Sequence, residues 1–161
     1  MKRILTVIFS LLLLSCNSNA QDSKKQKQYP VSKTETEWKA ELSAAEYQVL
    51  RKKGTERAFS SKLNAVDQPG TFVCAACGNE LYKTKHKFES GTGWPSFDRP
   101  VKEANVDYRP DRTGGFPATE VLCAQCGGHL GHVFNDGPQH TTGKRHCING
   151  VAMNFVPEAK Q

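Results

Sequence analysis

The pattern of apolar and polar positions divides the chain into three parts. Residues 4–14 form an almost unbroken apolar run, residues 17–36 are nearly all polar, and the remainder mixes both kinds. The apolar run is shorter than the ~20 residues that cross a bilayer, but it suits the core of a secretory signal. The predicted parts are therefore a signal peptide at 1–20, a flexible tether at 21–36 and a single folded domain at 37–161.

Helix signals lie at the front of the folded part. Residues 43–46, Ser-Ala-Ala-Glu, fit a capping box. Gly54 is of the residue type that commonly ends helices, so we predict a helix that runs from this box to about Lys53. A shorter helical turn is expected before it, at 36–40.

From Gly70 onwards the pattern changes to short apolar stretches separated by Gly, Pro, Asn and Asp. Several of these stretches alternate apolar and polar residues, which is typical of strands with one buried face. The predicted strands are Thr71–Cys74, Val101–Arg109, Thr119–Cys123, Gly131–Phe134 and His146–Phe155. The expected fold class is mainly β or α+β, with antiparallel sheets behind a helical front piece.

The excess of positive charge lies mostly outside the folded part. The formal net charge is +6, of which +4 belongs to residues 1–36 and +2 to residues 37–161. A nearly neutral domain gives no reason to expect nucleic-acid binding. We expect the lysines of the tether to interact instead with anionic lipid headgroups at a membrane surface.

The apolar run ends in Leu-Leu-Ser-Cys at 13–16, which resembles the lipobox of bacterial lipoproteins. In that motif the signal is cut before the cysteine and the thiol is acylated, so a lipid on Cys16 would hold the protein to a membrane. Two alternatives are cleavage after Ala20, which discards Cys16, and an uncleaved anchor. We expect an exported lipoprotein of the bacterial cell envelope that faces the periplasm. Asn17 favours the outer membrane over the inner one.

Four cysteines occur in two copies of one motif, Cys-Ala-Ala-Cys-Gly at 74–78 and Cys-Ala-Gln-Cys-Gly at 123–127. Two residues between cysteines let a tight turn direct both sulfurs at one point, and the following glycine permits a positive φ. Two such motifs supply the tetrahedral shell of a structural zinc ion. The predicted ligands are Cys74, Cys77, Cys123 and Cys126. The alternatives are two disulfides or a thioredoxin-like redox motif.

Cys147 is the one cysteine outside both the predicted signal and the paired motifs. If residues 144–150 form a strand, alternation places Arg145, Cys147 and Asn149 on one face. A guanidinium beside a thiol lowers the thiol's pKa from about 8.5 and favours the nucleophilic thiolate. The alternative is a buried, unreactive cysteine, which is a common state for this residue.

Two further segments contain candidate site residues. Ser-Gly-Thr-Gly-Trp-Pro-Ser-Phe at 90–97 places Trp94 in a Gly-rich turn, and Gly-His-Leu-Gly-His-Val-Phe at 128–134 offers His129 and His132. Read separately, the tryptophan fits a hydrophobic core at least as well as a binding surface. The two histidines fit structural roles as well as acid–base chemistry.

Together with the paired cysteines, these segments resemble the methionine-R-sulfoxide reductase B family over nearly the whole folded part, from Trp38 to Pro157. The motifs that carry the resemblance are Gly-Thr-Glu-Arg-Ala-Phe at 54–59, Cys-Gly-Asn-Glu-Leu at 77–81, the segments at 90–97 and 128–134, Asp-Gly-Pro at 136–138 and Arg-His-Cys-Ile-Asn at 145–149. The resemblance implies two antiparallel β-sheets preceded by helices, with zinc opposite the active site. It also implies reduction of methionine-R-sulfoxide to methionine.

The family's residue roles carry over to the matching positions. Cys147 matches the nucleophile, which attacks the sulfoxide sulfur and becomes a sulfenic acid. Trp94 matches the aromatic residue that packs against the substrate's S-methyl group. The acid–base and orienting network matches His129, His132, Asp136, Arg145 and Asn149. A sulfoxide is a poor electrophile until its oxygen is protonated, and we expect His132 to donate that proton while His129 and Asp136 orient the network.

One position departs from the family pattern. Many members carry a second, resolving cysteine in the segment at 90–97, and here that position is Thr92. We therefore expect a thioredoxin-like protein or a small thiol to reduce oxidised Cys147 directly. The expected substrates are methionine-R-sulfoxide in proteins, peptides or the free amino acid, and the expected state is a monomer. Two rival hypotheses are an inactive zinc-containing binding module and a thiol–disulfide exchange protein that uses the Cys-x-x-Cys pairs.

Overall fold

A computed structural model describes residues 27–115 and 117–159. The predicted signal peptide, the lipobox with Cys16 and the first part of the tether lie outside these residues. Within them, no helix is long and apolar enough to cross a membrane.

In the described residues, two short helices precede nine strands. The helices are Glu35–Glu41 (α1) and Ala44–Leu50 (α2). The strands are Gly70–Cys74 (β1), Glu80–Lys83 (β2), Lys87–Phe88 (β3), Ser96–Phe97 (β4), Val106–Asp111 (β5), Ala118–Cys123 (β6), His129–Phe134 (β7), Arg145–Ile148 (β8) and Met153–Pro157 (β9). Short 3-10 turns lie at Lys62–Ala65, Thr84–His86, Glu103–Asn105 and Gly150–Ala152.

Both helices begin with a capping box. The predicted box is present at Ser43, whose Oγ accepts from Glu46 N at 3.3 Å while Ser43 N donates to Glu46 Oε2 at 2.8 Å. Thr34 and Glu37 form a second box at the start of α1, where the sequence predicts only a short turn. Each cap stabilises its helix by about 1 kcal/mol, and burial of side chains such as Trp38 supplies further stabilisation.

Helix α2 ends at Leu50, before the predicted end near Lys53. Lys53, and not Gly54, takes the left-handed conformation after the helix, with φ of 58°. Lys53 Nζ lies 2.6 Å from Oε2 of the buried Glu120, and Gly54 N donates to Gln48 O at 2.9 Å. The predicted end was wrong because Lys53 is held by a distant strand that the local sequence does not reveal.

The strands form two antiparallel sheets, which confirms the predicted fold class. One sheet has three strands in the order β2-β1-β9, and the other has six in the order β3-β4-β8-β7-β6-β5. Strand β8 therefore lies between β4 and β7. In this register Cys147 is opposite Ser96 on one side and opposite His132 on the other.

A buried cluster joins both sheets and both helices. The ring of Phe97 on β4 packs against Phe72 of β1 and Tyr82 of β2, with centroid distances of 4.9 and 4.3 Å. Trp38 of α1 and Leu50 of α2 enter the same cluster. Each large side chain that is fully buried contributes roughly 1.5–3 kcal/mol, so this cluster holds the two sheets together.

The predicted strand Val101–Arg109 begins only at Val106. Glu103–Asn105 form a 3-10 turn instead, and the side-chain amide of Asn105 donates to Glu80 O at 2.7 Å. Asparagine side chains that bond to backbone groups favour turns over strands, which explains the difference.

The predicted strand His146–Phe155 is two strands in different sheets. Strand β8 ends at Ile148, and a 3-10 turn precedes β9. Glu56 accounts for the break, because its carboxylate accepts from the N–H groups of Gly150 and Val151 at 2.5 and 3.0 Å. The chain therefore changes sheets shortly after the predicted nucleophile.

Residues at the end of the predicted tether already contact the domain. The hydroxyl of Tyr29 donates to Asp107 Oδ2 at 2.9 Å and accepts from Arg109 Nη2 at 2.7 Å. Val31 N donates to Gln125 O at 2.8 Å. Contacts with the folded part thus begin before the predicted domain boundary.

Candidate active site and metal centre

The four paired cysteines converge on one point that joins the two sheets. Cys74 ends β1 and Cys123 ends β6, and the Sγ atoms of all four cysteines lie within 4.8 Å of one another. The two motifs fold alike, because Gly78 N donates to Cys74 O and Gly127 N donates to Cys123 O, both at 2.8 Å. The glycines have φ of 73° and 69°, a conformation that other residues rarely adopt.

The sulfur positions match a metal site rather than two disulfides. The Sγ atoms are 3.8 Å apart between Cys74 and Cys126 and 3.5 Å apart between Cys77 and Cys123. A disulfide bond is about 2.05 Å long, whereas a tetrahedral ion with metal–sulfur bonds of about 2.3 Å separates its sulfurs by about 3.8 Å. The cluster can therefore hold a metal ion, which would connect β1 of one sheet to β6 of the other.

Cys147 lies half-buried within the six-stranded sheet. Ser96 and His132 are its partners on the neighbouring strands, and residues opposite each other in antiparallel strands share a face. Thr92 Oγ1 lies 3.9 Å from Cys147 Sγ. Ser90 Oγ lies 2.8 Å from the Thr92 hydroxyl and 2.7 Å from that of Ser96. A chain of three hydroxyls therefore borders the thiol on one side.

Burial raises the pKa of the Cys147 thiol above its ordinary value. The Thr92 hydroxyl and the Arg145 guanidinium act in the opposite direction, while Asp136 adds to the rise. The net shift is upward, opposite to the direction that a neighbouring guanidinium alone predicts. In the free protein the thiol form therefore predominates at neutral pH.

We expect alkylation of Cys147 by iodoacetamide to be slow at neutral pH and to accelerate as the pH rises through the alkaline range, because only the thiolate reacts. Arg145→Gln removes a contribution that lowers the thiol pKa, so the acceleration should move to still higher pH. Lys144→Gln removes an equal charge from the adjacent residue, which pairs with Asn135, and should leave the profile unchanged. The measurement is mass spectrometry of the Cys147 peptide. A half-maximal rate well below pH ~8.5 in the parent would contradict the raised pKa.

Arg145 is fixed by two groups. Its Nε and Nη2 donate to the two carboxylate oxygens of Asp136 at 2.9 and 2.8 Å, and its guanidinium lies 4.5 Å from the ring centroid of Phe134. Bidentate pairs of this kind set the orientation of the guanidinium as well as its charge. A fixed positive group on the same strand as Cys147 can hold a polar S–O group near the thiol.

His129 is held by a buried carboxylate. Its Nδ1 lies 2.8 Å from Oε1 of Glu120, and both residues are almost completely buried. The other carboxylate oxygen of Glu120 contacts Lys53. Desolvation acts to raise the pKa of Glu120, but His129 and Lys53 together lower it, so the carboxylate is charged. Lys53 thereby compensates a charge that would otherwise be costly to bury.

His132 is held by a different carboxylate. Its Nε2 lies 2.8 Å from Oδ2 of Asp111, and Oδ1 of Asp111 accepts from Thr113 N at 2.9 Å and from Thr113 Oγ1 at 2.7 Å. The Thr113 N–H and then His132 hold the pKa of Asp111 well below its usual range. The rings of His132 and His129 are 5.5 Å apart. The two histidines therefore lie side by side, each with its own carboxylate, while Asp136 pairs with Arg145.

Trp94 and Asn149 are connected through the backbone of Glu56. Trp94 Nε1 donates to Glu56 O at 3.1 Å, and Asn149 Oδ1 accepts from Glu56 N at 3.0 Å. Asn149 Nδ2 donates to Leu130 O at 2.9 Å, and the residue is buried. Both ends of the Asn149 amide therefore bind backbone groups, and this side chain supports the positions of Trp94 and β7.

Four residues that support the site are not predicted by the sequence: Lys53, Glu56, Asp111 and Glu120. The sequence contains a signal for Glu120, because a carboxylate in the apolar strand β6 must find a partner when it is buried. Glu56 lies in the motif at 54–59, but the motif does not reveal its contacts. Lys53 and Asp111 reach the site from the segment after α2 and through strand register.

The family match and the relatives found by sequence agree with one another. A family model described as the SelR domain matches residues 42–157. A relative from Leptospira interrogans serogroup Icterohaemorrhagiae serovar Lai is 52% identical over 130 residues, with 81% of this chain and 98% of that protein covered. Relatives from Bradyrhizobium diazoefficiens and Methanosarcina barkeri are 52% and 50% identical, with 80% and 81% of this chain and 91% and 92% of those proteins covered. All three are named peptide methionine sulfoxide reductase MsrB.

Among solved structures, the Yippee-like domain of Mis18 is similar over 58% of this chain and 100% of that chain, at 17% identity and a TM-score of 0.44. That likeness is too low to carry an argument. The family match and the three relatives, in contrast, span most of the folded part at high identity. The chain therefore belongs to the SelR-domain family, which includes the peptide methionine sulfoxide reductases MsrB.

Proposed function

We propose that the protein reduces methionine-R-sulfoxide in proteins to methionine, with Cys147 as the nucleophile. Family membership makes the chain an oxidoreductase that acts on methionine sulfoxide in proteins. The R epimer and the roles of individual residues are what the proposal adds.

The observation that carries the proposal is the surroundings of Cys147 Sγ. His132 lies opposite Cys147 on β7, Arg145 lies two positions earlier on β8, and both belong to the same face of the sheet as the thiol. A nucleophile, a proton donor and a fixed positive charge thus meet on one face. These are the groups that reduction of a sulfoxide by a thiol needs.

In the proposed reaction, the Cys147 thiolate attacks the sulfoxide sulfur while His132 donates a proton to the sulfoxide oxygen. The sulfur–oxygen bond of the substrate and the transient bond between Cys147 Sγ and the substrate sulfur both break, the oxygen and its proton end on Cys147 Sγ, and methionine leaves with its sulfur reduced. Two electrons come from the thiolate sulfur, which becomes a sulfenic acid. Trp94 packs against the S-methyl group, and Arg145 attracts the oxygen as negative charge develops on it.

The pairing of His132 with Asp111 gives Asp111 a positioning role that the sequence motifs do not include. We expect Asp111→Asn to lower kcat by about tenfold or more while KM changes little, because asparagine keeps the size but loses the charged carboxylate that holds the His132 ring in place. Steady-state kinetics on a sulfoxide peptide measure both constants. Asp107→Asn removes another carboxylate of β5, which contacts Tyr29, and should leave kcat unchanged. Equal kcat values for Asp111→Asn and the parent would exclude the role.

The proposal includes a structural zinc ion held by Cys74, Cys77, Cys123 and Cys126. Four thiolates are a typical donor set for zinc, and the measured sulfur separations support it. When bound, the ion supplies no chemistry to the substrate, because protein sulfur fills all four coordination positions. Its role is to connect the two sheets.

We propose that oxidised Cys147 is reduced by external thiols. The sulfenic acid reacts with one thiol to release water and form a mixed disulfide, and a second thiol then frees Cys147. A thioredoxin-like protein or a small thiol supplies both. Support comes from Thr92, whose Oγ1 lies 3.9 Å from Cys147 Sγ, at the position where the family resemblance implies a resolving cysteine.

The proposal also covers location and assembly. Export to the cell envelope with a lipid on Cys16, and a monomeric state, rest on the sequence of the first part of the chain and on the single-domain size of the remainder. Mass spectrometry of the protein isolated from its own membranes would test the lipid on Cys16, since acylation adds the mass of the lipid to that residue.

The experiment that tests the function compares the two epimers of a peptide methionine sulfoxide. The purified, metal-loaded protein is incubated with each epimer and dithiothreitol, and methionine is followed by mass spectrometry. We expect the R epimer to be consumed and the S epimer to persist. If a folded, metal-loaded protein reduces neither epimer, the inactive binding module becomes the better hypothesis.

A further inference from the structure

Phe59 is unusual among the large apolar side chains of the described residues. It is 74% exposed, whereas the next in order, Val156, is 51% exposed. It also adopts a left-handed backbone conformation, with φ of 63°. Bulky residues seldom take this conformation, and the free energy it costs must be offset by surrounding contacts.

The contacts that hold Phe59 come from Gly93. Phe59 N donates to Gly93 O at 2.7 Å, and the side chain of Asn64 donates to the same oxygen at 3.0 Å. A Cβ atom on Gly93 would lie 2.9 Å from two atoms of the Phe59 ring, so the ring lies directly against the glycine backbone. One face of the ring is thus supported while much of the side chain remains exposed to solvent.

Gly93 lies between two residues of the proposed active site. Thr92 precedes it, with its hydroxyl 3.9 Å from Cys147 Sγ, and Trp94 follows it. The Phe59 ring therefore packs against the residue that separates Thr92 from Trp94 in the chain. A cavity of about 520 Å³ is lined by Glu56, Ser60 and Leu63, which lie before and after Phe59 in the chain. A substrate chain that reaches Cys147 past Trp94 would have Phe59 beside it.

We propose that Phe59 contacts an apolar side chain next to the methionine sulfoxide in a substrate polypeptide and so favours polypeptide substrates over the free amino acid. This inference rests on the proposed function. A free amino acid has no flanking side chain and cannot make the contact. A polypeptide with leucine beside the sulfoxide can cover the exposed face of the ring and remove apolar surface from water.

The experiment compares Phe59→Gly with the parent on three substrates: a pentapeptide with leucine on both sides of methionine-R-sulfoxide, the same peptide with glycine on both sides, and free methionine-R-sulfoxide. Glycine keeps the backbone N–H that binds Gly93 O and accepts a φ of 63°, so the variant should fold. Dithiothreitol is the reductant throughout. Tyr108→Ala removes an exposed aromatic ring that lies near His146, and it serves as the matched control.

For Phe59→Gly we expect kcat/KM on the leucine peptide to fall about tenfold, mainly through KM, as loss of one aromatic contact predicts. The glycine peptide and the free amino acid should change less than about twofold. Tyr108→Ala should behave as the parent on all three substrates. The midpoint of thermal unfolding should not fall in Phe59→Gly.

Three outcomes would overturn the inference. Equal losses on all three substrates would mean that the ring only supports the fold around Gly93. Unchanged kinetics on the leucine peptide would mean that the ring makes no substrate contact. If the parent reduces none of the three substrates, the proposed function fails and the inference fails with it. Reduction of free methionine-R-sulfoxide by the parent and by Phe59→Gly shows that the proposed function holds, so that the leucine peptide then tests the inference alone.

Discussion

Cys147→Ser is expected to lower the rate of methionine sulfoxide reduction by at least about a thousandfold. Serine has nearly the same size, so the hydroxyl should occupy the place of the thiol beside Thr92 without disturbing the sheet. A serine hydroxyl ionises far less readily than a thiol and is a much weaker nucleophile towards sulfur. The structure offers no substitute, because every other cysteine in residues 27–115 and 117–159 belongs to the four-cysteine cluster.

The measurement is methionine formation with dithiothreitol in excess, with a thermal melt of each variant as the folding control. A second measurement identifies the intermediate. With the reductant left out, the parent should form methionine in a single turnover, and dimedone, which traps sulfenic acids, should label Cys147. If Cys147→Ser kept a tenth of the parent's activity, another group would have to be the nucleophile. If dimedone labelled a cysteine of the four-cysteine cluster, the thiol–disulfide exchange hypothesis would be favoured.

The features that the sequence predicts well depend on residues close together in the chain. The capping box at Ser43 spans four positions, and its hydrogen bonds form as predicted. The Cys-x-x-Cys-Gly motifs likewise determine their own turns, so the convergence of sulfurs within 4.8 Å needs only the two motifs to meet. The alternation of short strands was sufficient to predict antiparallel sheets.

The features that the sequence does not predict depend on partners far apart in the chain. Asp111 and His132 meet because β5, β6 and β7 lie side by side, and Glu120 meets Lys53 across the space between β6 and the end of α2. No local pattern contains such pairings, since strand order and register come from the whole core. The contacts of Glu56 are also between residues far apart in the chain and cannot be predicted locally. Its carboxylate binds the N–H groups of Gly150 and Val151, where the predicted continuous strand is interrupted.

Loss of the metal should unfold the protein to a large extent. Four buried or half-buried cysteines connect β1 of the three-stranded sheet to β6 of the six-stranded sheet. Structural zinc contributes about 10–16 kcal/mol of apparent binding free energy in small zinc domains, whereas whole domains are stable by only about 5–15 kcal/mol. We therefore expect Cys77→Ser, or exhaustive chelation of the parent, to lower the unfolding midpoint by well over 10 °C, the shift that a few kcal/mol causes in a domain of this size.

Circular dichroism melts and metal analysis of each protein measure the effect. Cys147→Ser is the matched control, because it removes a thiol from the chain while leaving the cluster intact, and it should keep both its metal and its melting midpoint. The proposed site and the cluster share no residue, so activity during chelation should fall in proportion to the folded fraction, with KM of the remaining enzyme unchanged. A chelated protein that keeps its circular dichroism and its midpoint but loses activity would contradict the structural role and place the metal in the reaction itself.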